Sequence, residues 1–221
     1  AADSLGVECY VVGGYVRDLF LERPSDDIDV VVVGSGIEVA DALRRSLGRK
    51  AHISVFRNFG TAQVKYKDIE VEFVGARKES YSHDSRKPIV EDGTLEDDQN
   101  RRDFTINAMA YNDDVRLVDV FGGMQDLNHH LIRCVGDPRE RFSEDALRIL
   151  RAVRFSAQLD FPIEPDTAKA VKELAPNLKN ISAERIQTEL VKLLHIRSAF
   201  RMPVNLELQR WSFQNGTPWL E

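Results

Sequence analysis

Residues 13–18, GGYVRD, and residues 27–29, DID, decide the fold that we expect for this chain. The two glycines predict a tight turn that leaves a short strand and opens a helix. The DID motif begins an apolar run that is typical of a buried strand. Because side chains alternate along a strand, the carboxylates of Asp27 and Asp29 are expected on the same face of a sheet.

Two carboxylates on one face repel each other unless a cation lies between them. Oxygen ligands with room for phosphate favour Mg²⁺, so Asp27 and Asp29 are candidate metal ligands. The backbone N–H groups of the diglycine turn are candidate donors to an anion. Together the motifs predict a metal–nucleotide site, whereas each one alone also fits a solvated acidic turn or an ordinary glycine turn.

Composition and charge narrow the class of protein. A chain of 221 residues with 43% hydrophobic and 30% charged residues is typical of a soluble protein of one large or two small domains. No apolar run approaches membrane-spanning length and no secretory signal opens the chain, so we expect no membrane partner. Cys9 and Cys134 lie in separate apolar surroundings, which argues against zinc or disulfides and favours a cytoplasmic location. The net charge of −6 is unfavourable for a nucleic-acid partner unless basic residues are concentrated on one face or supplied by further chain.

The pattern along the chain predicts three parts. Residues 1–137 mix short strands with helices, which indicates an α/β (α+β) domain. Residues 138–195 have an all-helical pattern with prolines as punctuation. Residues 196–221 show no clear period and are left unassigned.

Two stretches of the first part bear on the predicted site. Glu70 and Glu72 share a face of their strand, so one of them is a candidate third carboxylate, although solvent-facing alternation explains both equally well. Residues 77–100 are polar and nearly without period, which predicts a flexible loop near the site. The His83-Asp84 dipeptide within it is weak evidence for a metal phosphohydrolase.

Residues 101–108, RRDFTINA, follow that stretch. Asp103 is expected to cap a helix over residues 104–110. The paired arginines Arg101 and Arg102 suit recognition of a triphosphate or a ribose, and the alternative is a solvated basic pair.

The sequence EDALRILRAVRF lies in a helix predicted for residues 143–159. On an ideal helix, Asp145 and Arg148 are about 60° apart and therefore neighbours on the surface. A carboxylate acceptor beside a guanidinium donor can match the hydrogen-bonding edge of a nucleobase, and the alternative is an ordinary exposed ion pair. Arg185 and Glu189, four residues apart on the last predicted helix, are expected to pair on its surface.

In this order, the motifs GGYVRD, DDID, RRDFTINA and EDALRILRAVRF resemble those of the class II tRNA nucleotidyltransferase (CCA-adding enzyme) and bacterial poly(A) polymerase family. The resemblance covers roughly residues 7–195. It implies a nucleotidyltransferase head, or palm, over residues 1–137, with a mixed β-sheet flanked by helices. It also implies an all-helical neck over residues 138–195. Members of the family usually continue into helical body and tail regions, so this chain is expected to be a fragment or a truncated form.

The resemblance implies roles for particular residues. Asp27 and Asp29 would hold two Mg²⁺ ions and serve catalysis. Asp145 and Arg148 would read the incoming base. The remaining matched positions would contact the nucleotide, mostly at its phosphates: Gly14, Arg17, Arg102, Arg151 and Arg154. Since Arg154 lies far around the helix from Asp145, a phosphate-binding or structural role is expected for it.

The implied function is RNA 3′-end nucleotidyl transfer, specifically CCA addition to the 3′ end of tRNA from CTP and ATP. A poly(A) polymerase or an enzyme that adds only CC or only A is the alternative on the same scaffold. No basic stretch typical of a poly(A) polymerase follows Gly60, which favours CCA addition. An alternative of another class is a truncated nucleotide-binding module with little RNA activity.

Overall fold

The structure, a computed structural model, describes residues 1–82 and 85–196, and for residues 79–82 and 85–90 it describes the backbone alone. The chain divides into two compact units, Ala1–His129 and His130–Glu221. This division falls a few residues before the boundary predicted at residue 137. Among the described residues, no helix is long and apolar enough to cross a membrane.

The first unit contains nine strands and five α-helices among its described residues. The strands are β1 (Cys9–Val12), β2 (Ile28–Val32), β3 (Ala51–Phe56), β4 (Thr61–Tyr66), β5 (Ile69–Gly75), β6 (Arg77–Ser82), β7 (Ser85–Asp92), β8 (Ala110–Asn112) and β9 (Arg116–Val118). The helices are α1 (Ala2–Leu5), α2 (Gly14–Phe20), α3 (Gly36–Leu47), α4 (Leu95–Asn100) and α5 (Gly123–Asn128).

Seven of these strands form one mixed sheet in the order β3-β4-β5-β2-β1-β8-β9. The pair β2–β5 is parallel and the other pairs are antiparallel. Helix α3 covers one face, where Val30, Val39, Ala62 and Phe73 belong to one buried cluster. The predicted α/β class with a mixed sheet flanked by helices is therefore confirmed.

The opposite face of the sheet is apolar only in part. Tyr10, Val12, Val31 and Ala110 form a buried cluster there. Next to this cluster the same face of the sheet is polar. There Asp29 of β2 lies beside Glu72 of β5 in the parallel register. The candidate metal ligand Asp29 therefore lies in the polar part of this face.

The prediction of a loop over residues 77–100 is wrong, since the structure has two strands and a helix there. Strands β6 and β7 form a separate two-stranded sheet, and α4 follows it with a capping box between Thr94 and Asp97. A hairpin that pairs only with itself does not need the apolar alternation that marks a strand in a larger sheet. The His83-Asp84 dipeptide lies outside the described residues.

The helix predicted for residues 104–110 is also wrong. Residues Thr105–Asn107 form a single 3₁₀ turn, and Ala110 already pairs with Val12 in the sheet. Phe104, Ile106 and Met109 are all fully buried, so this segment follows the core rather than a helical period.

The second unit contains four α-helices among its described residues. They are α6 (Pro138–Glu144), α7 (Leu147–Leu159), α8 (Pro165–Leu174) and α9 (Ala183–Leu194). Val153 and Ala157 of α7 pack with Leu193 of α9 in one buried cluster. Residues 197–221, most of the unassigned segment, lie outside the described range.

Candidate active site

The turn after β1 requires glycine at position 13. Gly13 has φ +74°, in the left-handed region that favours glycine. A Cβ atom built there would lie 2.9 Å from Nη1 of Arg102. The Arg102 guanidinium can therefore lie directly against this turn, where a larger residue would displace it.

Arg17 is only 3% exposed and is held by protein partners. Its Nε and Nη2 donate to both carboxylate oxygens of Asp18, at 2.9 and 2.8 Å. Its Nη1 donates to Oδ1 of Asn107 at 2.7 Å, which ties α2 to the 3₁₀ turn. Below Gly14, the nearest side-chain atom is Nη2 of Arg17, 3.5 Å from the position of a Cβ. The triphosphate contacts predicted for Gly14 and Arg17 stay predictions, and the geometry gives Arg17 a supporting position under the turn.

The carboxylates of β2 and β5 lie side by side on the face of the sheet opposite α3, which we call the open face. Asp27 is exposed just before β2, whereas Asp29 is half-buried within it. In the parallel register Asp29 is aligned with Glu72. Burial, followed by the negative charges of Asp27 and Glu72, raises the pKa of Asp29 to about 6. These carboxylates repel one another, and Glu72, rather than Glu70, is the one aligned with Asp29.

Arg102 is held beside this group by a buried carboxylate. Asp98 is fully buried on α4. Its Oδ2 accepts from Nε and Nη2 of Arg102 at 3.1 and 2.9 Å, and its Oδ1 accepts from Nε of Arg101 at 2.8 Å. The positive charge of Arg102 partly opposes the rise in the pKa of Asp29. Asp98 therefore fixes a guanidinium between the glycine turn and the carboxylates.

The donor set of the open face fits a hard cation, since it consists of carboxylate oxygens whose mutual repulsion a divalent ion would relieve. In the part of the chain that the structure describes, no three His, Cys, Asp or Glu side chains form a group that could hold a metal by themselves. Asp27 and Asp29 would therefore need further oxygen ligands, such as water or the phosphates of a nucleotide, to complete a magnesium site.

In the second unit, the continuous helix predicted for residues 143–159 is wrong, because the chain is extended at Asp145 between α6 and α7 (φ −148°, ψ 102°). Oδ1 of Asp145 accepts from the backbone N–H of Leu147 at 3.1 Å, and Oδ2 accepts from Nη2 of Arg185 at 2.7 Å. The helical angle between Asp145 and Arg148 assumed an unbroken helix and does not apply.

Arg148 is buried and pairs with the residue before that break. Its Nη1 donates to Oε2 of Glu144 at 2.6 Å and to the backbone oxygen of Arg141 at 3.0 Å. Arg141 also donates to Oε2 of Glu144, at 3.0 Å. Glu144 thus holds two guanidinium groups in place, and it presents Arg148 in one orientation.

Glu189 of α9 is the carboxylate that orients Arg151 and Arg154, the later arginines of α7. It is 5% exposed, and its Oε2 accepts from Nε of Arg154 at 2.6 Å. Its Oε1 lies 3.7 Å from Nη1 of Arg151. The guanidinium of Arg154 also lies 4.0 Å from the centre of the Phe155 ring. The surface pair predicted for Arg185 and Glu189 is wrong, since each has a partner on another element.

Sequence reasoning missed the three carboxylates that orient these arginines: Asp98, Glu144 and Glu189. A signal was present for two of them. Asp98 precedes Arg101 and Arg102 by three and four residues, and Glu144 precedes Arg148 by four, which is the spacing of ion pairs on a helix. Nothing in the spacing linked Glu189 to Arg151 and Arg154, because these arginines lie on a different helix.

The mixed sheet, with an Asp-x-Asp pair opening β2, defines the class as a nucleotidyltransferase fold, and solved structures of this class match it. The family model described as "Poly A polymerase head domain" matches residues 9–133, more than half of the chain. The chain therefore belongs to the poly(A) polymerase head domain family. A second model, "Probable RNA and SrmB- binding site of polymerase A", matches residues 160–204.

Relatives with curated names and solved structures agree with this assignment. The CCA-adding enzyme of Lactobacillus helveticus is 41% identical over 211 residues, 93% of this chain and 51% of that protein. The Bacillus stearothermophilus CCA-adding enzyme, in complex with CTP, is 37% identical with a TM-score of 0.75 over 90% of this chain and 47% of its own. A tRNA nucleotidyltransferase complexed with a primer tRNA and an incoming ATP analog is 36% identical, with a TM-score of 0.81 over 95% of this chain and 58% of its own. The chain spans about half the length of the curated relatives that it matches.

Proposed function

We propose that this chain is an RNA 3′-end nucleotidyltransferase that adds CCA to tRNA from CTP and ATP and releases pyrophosphate. The observation that carries the proposal is the grouping of Asp27, Asp29 and Arg102 on the open face of the sheet. Carboxylates for a divalent ion beside a fixed guanidinium are the groups that transfer of a nucleotide from a triphosphate requires. The names of the relatives, several of them CCA-adding enzymes, support the same reaction.

Asp27 and Asp29 would hold two Mg²⁺ ions, which supply Lewis-acid stabilisation of the attacking and leaving oxygens when bound. Arg102, fixed by Asp98, offsets negative charge on the triphosphate. Arg17 keeps the glycine turn and the 3₁₀ turn in register through Asn107, and so orients the backbone around Gly14. Arg151 and Arg154 are oriented by Glu189, and we assign to Arg151 a phosphate contact and to Arg154 a structural role.

Base selection is assigned to Asp145 and Arg148. Cytosine and adenine both present an exocyclic amino donor beside a ring-nitrogen acceptor, whereas guanine and uracil present the reverse order. One carboxylate acceptor and one guanidinium donor fit the first pattern. Since Arg185 and Glu144 orient these two side chains, protein contacts preset the geometry that would choose the base.

Three tRNA transcripts, ending before CCA, after CC and after CCA, test the proposed reaction when each is incubated with every labelled nucleotide and Mg²⁺. CCA addition predicts incorporation of C and then A that stops after A. A long ladder of A would instead indicate a poly(A) polymerase. Nucleotide binding without incorporation would indicate a binding module. The expected location for this reaction is the cytoplasm, as the cysteines predict.

Asp145→Ala tests the assignment of base selection. We expect the preference for CTP and ATP over UTP and GTP to fall by about tenfold or more, because one of the two discriminating hydrogen bonds is lost. The measurement is kcat/KM for each nucleotide, with Asp160→Ala, at the far end of α7, as the control. Unchanged selectivity in Asp145→Ala would contradict the assignment.

A further inference from the structure

Positive charge is concentrated in one stretch of this acidic chain. Residues 42–67 contain no Asp or Glu and seven basic residues: Arg44, Arg45, Arg49, Lys50, Arg57, Lys65 and Lys67. Since the whole chain carries −6 and this stretch carries +7, the remainder carries −13. A local concentration of this kind is what an acidic protein needs to attract an RNA backbone.

The structure places this stretch along one edge of the sheet. It covers the second half of α3 and all of β3 and β4, and β3 is the terminal strand. Its exposed basic residues are six: Arg45, Arg49, Lys50, Arg57, Lys65 and Lys67. Two of them are paired, Arg45 with Asp41 at 3.2 Å and Lys65 with Glu70 at 3.8 Å across exposed surface. We call the edge formed by β3, β4 and their flanking turns the basic edge.

A polar path connects the basic edge to the carboxylates. The strand registers align Ser54 of β3 with Gln63 of β4, Gln63 with Glu72 of β5, and Glu72 with Asp29 of β2. The next row aligns His52 with Lys65. These residues alternate with the ones that pack under α3, so they lie on the open face.

In-line displacement fixes the direction from which an acceptor must approach. The attacking oxygen and the leaving pyrophosphate lie on opposite sides of the reacting phosphorus. Arg102, the guanidinium suited to the leaving pyrophosphate, lies against Gly13 on the β1 side of Asp29. The attacking hydroxyl must therefore come from the other side, where Glu72 and then the basic edge lie.

Exposed aromatic side chains lie at the end of the same edge. Phe56 is 47% exposed and Phe59 is 70% exposed, on either side of Arg57. Aromatic rings and guanidinium planes are the groups on which single-stranded bases stack. The edge thus combines cations for phosphates with platforms for bases.

We propose that the open face of β3 and β4 is the acceptor-strand surface, which binds the last nucleotides of the RNA and directs its 3′-hydroxyl over Gln63 and Glu72 toward Asp29. This inference rests on the proposed function and adds to it the side of the sheet that holds the RNA. Lys65 and Arg57 contact phosphates of the strand, and Phe56 and Phe59 stack on its bases.

The first test neutralises two cations of the surface in the full chain, Arg57→Gln together with Lys65→Gln. The control is Arg116→Gln on β9, which is exposed at the opposite edge of the sheet. Binding of a short single-stranded RNA ending in two cytidines is measured by fluorescence anisotropy at several salt concentrations. We expect the double variant to weaken RNA binding several-fold and to lower the slope of log K against log salt by about 1.4, or about 0.7 per phosphate contact.

CTP binding and thermal unfolding of the double variant are expected to match the wild type, because both side chains are exposed and lie away from Arg102. The control variant is expected to change neither RNA affinity nor the salt slope. If the wild type binds RNA and the double variant binds it with the same affinity and slope, the inference is wrong while the proposed function stands.

The second test locates the strand directly. The same RNA with 4-thiouridine next to its 3′ end is irradiated with the wild-type chain, and the crosslinked peptides are identified by mass spectrometry. Crosslinks within residues 54–65 support the acceptor-strand surface, and crosslinks confined to other segments overturn it. Absence of both RNA binding and nucleotide transfer in the wild type would overturn the proposed function and this inference together.

Discussion

Two groups of charged residues, one in each unit of the chain, are organised in opposite ways. On the open face of the first unit, Asp29 is half-buried beside Asp27 and Glu72, and burial followed by these negative charges raises its pKa. In the second unit, Glu144 accepts from Arg141 and Arg148 at 3.0 and 2.6 Å. Glu189 accepts from Arg154 at 2.6 Å and lies 3.7 Å from Arg151. An unbalanced group of like charges marks a place where a ligand must supply the opposite charge. Balanced, buried pairs mark side chains whose direction the protein itself has fixed.

The largest effect is expected at the unbalanced group. Asp29→Ala should reduce nucleotide transfer to background for every nucleotide, because it removes one of the two carboxylates assigned to the metal ions. Incorporation of labelled CTP and ATP measures this, with the exposed neighbour substitution Asp26→Ala as the control. If Asp29→Ala retains transfer close to that of Asp26→Ala, the carboxylates are not the catalytic group.

Substitutions in the balanced pairs of the second unit should instead lower the free energy of unfolding. Glu189→Gln leaves Arg154 and Arg151 without their buried counter-charge and should lower the free energy of unfolding by about 3 kcal/mol. Glu184→Gln, exposed in the first turn of the same helix, should change it by less than about 0.5 kcal/mol. Urea unfolding followed by circular dichroism measures both, and equal stabilities would show that the Glu189 pairs are not what fixes α7 against α9.

A smaller effect is expected at Asp98, a buried carboxylate that holds Arg102 beside the group of like charges. Asp98→Asn weakens the clamp on Arg102 and should raise the KM for CTP about tenfold, the cost of one charge-assisted contact. Glu96→Gln, exposed on the same helix, is the matched control. In this assignment Asp98 positions Arg102 and does not touch the nucleotide. The single variant Arg102→Ala and the double variant Asp98→Asn/Arg102→Ala should therefore have the same KM for CTP. Additive losses would mean that Asp98 acts independently of Arg102.

The smallest effect concerns pH. The pKa of Asp29 is raised in the folded chain to about 6 from 3.8, so the stability linked to its neutral form is present below pH 4 and is lost as pH rises through 6. In EDTA, Asp29→Asn should therefore be more stable than the wild type by about 1 kcal/mol at pH 7.5, after allowance for partial exposure, and equal to it near pH 4. Thermal unfolding at the two pH values measures this. A constant difference between them would show that repulsion at Asp29 does not affect stability.

Strands were predicted correctly from the sequence where the pattern of apolar residues lies within a single segment. The strand predicted from the DID motif is β2 (Ile28–Val32), because its apolar run lies within the segment itself. The hairpin of β6 and β7 was missed because a two-stranded sheet does not require the apolar alternation that marks a strand in a larger sheet.

The site was harder to predict, because its decisive contacts join distant segments. The partnership of Asp145 with Arg185 spans forty residues of sequence, and the break in the helix that permits it depends on one carboxylate accepting a local backbone hydrogen bond. The glycine turn was recognised, but nothing in the sequence showed that Arg102 would occupy the space left by the missing side chain of Gly13. Residue types were therefore predictable, whereas their partners required the fold.

The parallel pairing of β2 with β5 also has a consequence for how the chain folds. The strands between them, β3 and β4, connect to β5 through short hairpins, whereas Ile28 must find Val71 across the whole of α3 and both hairpins. Non-local pairings of this kind form slowly because they close a long loop. We therefore expect Asp29 and Glu72 to be aligned only after the hairpins have formed. Their repulsion would then oppose the pairing of β2 with β5 and not the formation of the hairpins.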